Sequence, residues 1–91
     1  MYTCIELINL LKVKHNLKSD YAAAKLIGVS PQAIAHITKN KGTFSVVTTT
    51  VLAELLDLDT MYAIACVQYD WGVIHNNENV KNSFSKFLIA C

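Results

Sequence analysis

The sequence predicts an all-α fold of five to six short helices, and three observations carry that expectation. Residues able to cap a helix through a side-chain oxygen, namely Thr3, Ser19, Ser30, Ser45 and Asp59, stand just before runs with helically spaced apolar residues. The stretch Asp20 to Lys39, DYAAAKLIGVSPQAIAHITK, reads as two short helices meeting at a sharp corner. The tail sets Val80, Phe84, Phe87, Leu88 and Cys91 on one narrow stripe, with Lys81, Asn82 and Lys86 opposite.

Taken in order, Thr3-Cys4-Ile5-Glu6 has capping-box spacing and opens a first helix from about Cys4 to Lys14. Cys4, Leu7, Ile8 and Leu11 form its inward stripe, and Asn16 is a plausible left-handed stop. The second helix runs from Asp20 to Ile27, with Ala24 small where its neighbour crosses. Gly28 suits the corner because it tolerates positive φ, and Ser30-Pro31 opens the third helix, which extends to about Asn40. Ile27, Val29, Ile34 and Ile37 seal the pair.

Val46 to Val51 are six consecutive β-branched residues, which locally favour a strand over Phe44 to Thr50. Ser45 as a cap and the continuation Leu52-Ala53-Glu54-Leu55-Leu56 favour a helix, which is the expectation adopted. A fifth helix is expected from Thr60 to about Trp71 with Met61, Ile64, Ala65 and Val67 inward. A turn over Gly72 to Asn77 and a last helix from Glu78 to Ala90 follow. Residues 1–71 then form a helix-turn-helix unit, and residues 72–91 a C-terminal element of the same compact domain.

At 91 residues the chain is one domain with a single core, and 53% hydrophobic content with 16% charge leaves apolar surface to spare. No apolar run reaches membrane-spanning length and no basic leader is evident, so the expected setting is the cytoplasm, without a membrane partner. Cys4, Cys66 and Cys91 are an odd set without CxxC spacing, which argues against a disulfide framework and a zinc site. Net charge is only +1, but it is unevenly placed. Between Lys12 and Lys41 six lysines face one acid, Asp20, a balance of +5; elsewhere Lys81 and Lys86 face six acids, a balance of −4. That asymmetry fits a side turned toward a polyanion, and equally a helical surface that lysines merely solvate.

On the third helix Gln32, Ala35, His36 and Lys39 recur at spacings of three and four, so they share one outward face of the kind that major-groove reading requires. Gln32 can pair with adenine and His36 with guanine or a phosphate, while Pro31 and Ala35 offer apolar contact to a thymine methyl. Ser19, Tyr21, Ser30, Lys39, Asn40 and Lys41 are the candidate phosphate contacts. The chain has no arginine, so an A/T-leaning half-site is expected.

Ala24, Gly28, Val29, Ile34 and Ile37 fall at the small, glycine and apolar positions of the helix-turn-helix in lambda-repressor-like and Cro-like regulators, which this stretch resembles. From Ser19 through LAELLDLD to Asp59 the chain looks like small phage-encoded regulators of that type. The resemblance covers roughly the first two-thirds. It implies a helix after Ser45, a bacterial host cell, and a homodimer on a palindromic double-stranded DNA operator. Val80, Phe84, Phe87 and Leu88 are the expected dimer contacts, packing on the same chain being the other use of that stripe.

The expected function is transcriptional regulation, with repression by promoter occlusion the simplest mechanism. An alternative is a helix-turn-helix module that grips a host or phage protein, as antirepressors and antitoxins do. Tyr62, Tyr69 and Trp71 could stack on single-stranded bases, but the neighbouring acids Asp59 and Asp70 favour core or interface filling. No glycine-rich phosphate loop, paired carboxylates or based nucleophile suggests an enzyme, and neither a cofactor nor a metal is expected.

Overall fold

Each of the first five helices begins on a side-chain oxygen that the sequence supplies. The computed structural model describes residues 1–89, over which the chain is all-helical: α1 (Cys4–Lys14), α2 (Asp20–Ile27), α3 (Pro31–Thr38), α4 (Val46–Leu56), α5 (Thr60–Ile74) and α6 (Glu78–Ile89). Ala90 and Cys91, expected in the last helix and its stripe, lie outside the described residues. Thr3 and Glu6 form the reciprocal capping box of α1. Ser19, Ser30, Ser45 and Asp59 accept from the amides of Ala22, Ala33, Thr48 and Tyr62. An uncapped first turn would leave those donors orphaned, at about 1 kcal/mol each.

The same five helices also end alike. The chain enters the left-handed region at Asn16, Gly28, Asn40, Asp57 and Asn76. The next amide then reaches back five residues, from Leu17 to Lys12, Val29 to Ala24, Lys41 to His36, Leu58 to Ala53 and Asn77 to Gly72. This closure consumes carbonyls that would otherwise lack a partner, and asparagine, aspartate and glycine are the residues that enter positive φ most readily.

The threonines of α4 explain how a β-branched run stays helical. Thr49 Oγ1 donates to the Ser45 carbonyl at 2.7 Å and Thr50 Oγ1 to the Val47 carbonyl at 2.6 Å. Ser45 Oγ donates to Thr48 Oγ1 at 3.0 Å. The hydroxyls are thus satisfied within the helix, so Thr49 can be fully buried. Leu52, Ala53 and Leu56 bury the same side.

One core joins α1 to α5. Cys4, Leu7, Ile8 and Leu11 of α1 meet Ala23, Ala24 and Ile27 of α2, Ile34 and Ile37 of α3, Phe44, Leu52 and Leu56, and Val67 of α5. Two polar ties fasten it. The Cys4 amide donates to Asp70 Oδ2 at 3.0 Å, and a ring nitrogen of His15 lies 2.8 Å from the Leu55 carbonyl at the end of α4.

Two expectations are corrected in the second half. α5 continues to Ile74, through the first residues of the turn expected over Gly72 to Asn77. Met61, expected inward, is 58% exposed, and Ile64 is only half-buried, whereas Ala63, Ala65, Cys66, Val67, Asp70 and Gly72 are buried. The reason is that α5 packs against α1 and α4 and also against α6, so it needs two buried faces rather than one stripe. Gly72 serves that second contact: a Cβ there would lie 2.9 Å from Lys81 Cγ and 3.1 Å from the Lys81 amide nitrogen. Among the described residues α6 packs on α5 and on no other helix.

Candidate nucleic-acid interface

The α2–α3 corner is built on residues too small to hold the helices apart. Ala23 and Ala24 are buried with Ile27, Ile34 and Ile37, and Val29 packs beside them. Gly28 makes the corner at φ 90, outside the ordinary range of a residue with a Cβ. Pro31 then starts α3, whose buried side is fixed by Ile34 and Ile37. What remains turns outward: Pro31, Gln32, Ala35, His36, Lys39, Asn40 and Lys41 are all exposed.

Five of these residues converge. Gln32, Ala35, His36, Lys39 and Lys41 line one shallow depression of about 240 Å³. Lys41 reaches it because the left-handed step at Asn40 folds the chain back on the end of α3, where the Lys41 amide donates to the His36 carbonyl at 2.9 Å. His36 is backed by the following loop, since a Cβ at Gly42 would stand 3.8 Å from its own Cβ. The depression therefore offers an amide, an imidazole and two ammonium groups around the methyl of Ala35.

Pro31 sits in a second depression of about 200 Å³ with Tyr21, Ala24, Lys25 and Val29. Lys25 is absent from the expected contact set, although its place one turn after Tyr21 on α2 was a usable signal. Tyr21 is 66% exposed. Ser19 and Ser30 are exposed caps whose oxygens accept amides, which leaves each hydroxyl proton free to donate. A third depression of about 330 Å³, between α3 and α4, adds Thr43, Ser45 and Thr48 beside His36 and Lys41. No spacing in the sequence brings those three beside His36, because their proximity depends on how the 39–45 loop folds.

Electrostatically, Lys12 Nζ lies 2.9 Å from Asp20 Oδ1. That ion pair occupies the one carboxylate beside the start of α2, so it opposes an approaching anion less than a bare aspartate would. Among the described residues the other five lysines of the basic segment form no ion pair.

The second candidate surface is less uniform. On α6, Val80, Phe84 and Leu88 are half-buried, and Phe87 is 48% exposed with its ring centroid 6.2 Å from that of Phe84. Tyr62, Tyr69 and Trp71 are half-buried; Tyr62 meets Tyr2 edge-on and Trp71 lies against His75.

Among the described residues no group of three or more His, Cys, Asp or Glu side chains could hold a metal ion, and no helix is long and apolar enough to cross a membrane. Compared with known proteins, the chain matches no family model, no curated protein and no solved structure.

Proposed function

We propose that this chain is a sequence-specific double-stranded DNA-binding regulator of the lambda-repressor-like and Cro-like type. It works as a homodimer that represses a phage or prophage promoter by occlusion in the bacterial cytoplasm. The observation that carries the reading is the convergence of Gln32, Ala35, His36, Lys39 and Lys41 on one exposed face of a helix braced from behind. In a major groove Gln32 and His36 read base edges, Ala35 and Pro31 meet thymine methyls, and Lys39, Asn40 and Lys41 hold phosphates with Ser19, Tyr21 and Ser30. The exposed Phe87 and the flank of α6 with Val80, Phe84 and Leu88 join two subunits on a palindromic, A/T-leaning site.

Fluorescence anisotropy against operator candidates over a salt series tests this. Binding should fall with log salt by roughly 0.9 per phosphate contacted. Gln32→Ala and His36→Ala should each cost about 1–3 kcal/mol on the best site and relax preference. Lys39→Ala and Lys41→Ala should weaken every sequence alike and flatten the salt slope. A flat salt response, or identical behaviour of the two pairs, would sink the assignment. It would favour instead a module that binds a host or phage protein, for which the low net charge and missing arginine argue.

A further inference from the structure

α1 has two different sides. Cys4, Leu7, Ile8 and Leu11 are buried, and α2, α3, α4 and α5 all pack on this helix. The opposite side carries Tyr2, Glu6, Asn9, Leu10 and Val13, which line an open groove of about 280 Å³. It is apolar where a solvated helix would be polar: Val13 is 82% exposed and Leu10 37%. Tyr2, set edge-on against Tyr62 at 6.4 Å between ring centroids, closes one end.

The charges at the two ends of this side indicate what covers it. Glu6 and Lys14 are opposite in sign, and Leu10 lies midway between them in the sequence. Both charged residues are exposed, and among the described residues neither forms an ion pair. We propose that the outer face of α1 is a self-docking surface, on which a second copy of this chain lays its own α1 antiparallel about a two-fold axis at Leu10. That arrangement sets Leu10 against Leu10 and Glu6 of each copy toward Lys14 of the other. The eight-residue separation spans about 12 Å of helix, so both charge pairs and the apolar centre come into register together. A parallel pairing would oppose like charges at both ends. The surface is self-complementary, as a closed two-fold contact requires. One helix pair is smaller than the roughly 800 Å² per partner of a standard stable interface, so the contact is weak and depends on concentration. It is separate from α6 and does not require DNA.

Cross-linking the full chain tests the two-fold. In a Cys91→Ser background, Cys4 and Cys66 are buried, and Leu10→Cys supplies the reporting thiol. Copper phenanthroline takes two electrons as two such thiols join in a disulfide and release two protons. Leu10→Cys should cross-link at least tenfold faster than Lys25→Cys at equal concentration. Adding Lys14→Glu should slow it several-fold, and adding Phe87→Glu should leave the ranking unchanged. By sedimentation, Lys14→Glu alone and Glu6→Lys alone should each associate less than the parent chain. Their equimolar mixture, which restores both opposite-charge pairs, should recover association. Circular dichroism checks that Glu6→Lys, which loses the capping-box acceptor, still folds; if it does not, the cross-linking rates decide. Equal rates for Leu10→Cys and Lys25→Cys, or a mixture of folded variants no better than its parts, would overturn self-docking and leave the groove to a partner of another kind.

Discussion

The α1–α4 region and the α5–α6 hairpin are held in opposite ways. In the first, thirteen residues close into one core with a single contribution from α5, Val67, and none from α6. In the second, among the described residues α6 packs only on α5; Val80, Phe84 and Leu88 stay half-buried and Phe87 is exposed. The first region is stabilised by apolar area that each of its four helices removes from water on its inner side. The second is joined through one helix face and a close approach at Gly72. The exposed polar face of α3 thus has a rigid backing, whereas α6 leaves Phe87 exposed.

The sharpest way to break the comparison is a cavity in the core. Leu7→Ala should lower stability by about 2–5 kcal/mol in urea melts, because Leu7 is fully buried in the core and its loss leaves a cavity there. Gly72→Val should act more locally, at about 1–3 kcal/mol, since its Cβ would meet Lys81. Hydrogen exchange should then show α6 amides losing protection while α1 to α4 keep theirs. Equal loss in both regions would mean that they are one cooperative unit.

The smallest effect concerns pH. Burial pushes the Cys4 thiol up from 9.0 to about 12, with Asp70 adding to the rise and a backbone hydrogen bond from Phe44 opposing it. The folded pKa lies above the unfolded one, so this contribution is fully present below about pH 9 and is lost as pH climbs from there toward 12. Near pH 10 the loss should be about 1 kcal/mol. A Cys4→Ala chain should show a shallower alkaline decline than the parent, and parallel curves would contradict the assignment.

The contrast also separates what could be read beforehand from what could not. Caps at Thr3, Ser19, Ser30, Ser45 and Asp59 are local devices, so residue type and spacing were enough to place the helix starts. The corner at Gly28 and the outward set on α3 were legible because one helix has a single buried face there. The end of α5 and its full buried set were not, for that helix is buried on two faces, and Gly72 reads as a breaker unless Lys81 is known to lie against it. In the sequence Asp70 is legible only as an acid beside the aromatic group; its partner, the Cys4 amide, is 66 residues away. The depression of α3 gained Lys41 only through the left-handed turn at Asn40.

That distant bond from the Cys4 amide to Asp70 has a bearing on how the protein is made. A ribosome delivers α1 first and Asp70 only after all four earlier helices, so the opening turn of the chain keeps that amide on water until most of the polypeptide exists. The α2–α3 corner draws on neighbouring residues, whereas the start of α1 is tied down by a residue from the second half of the chain.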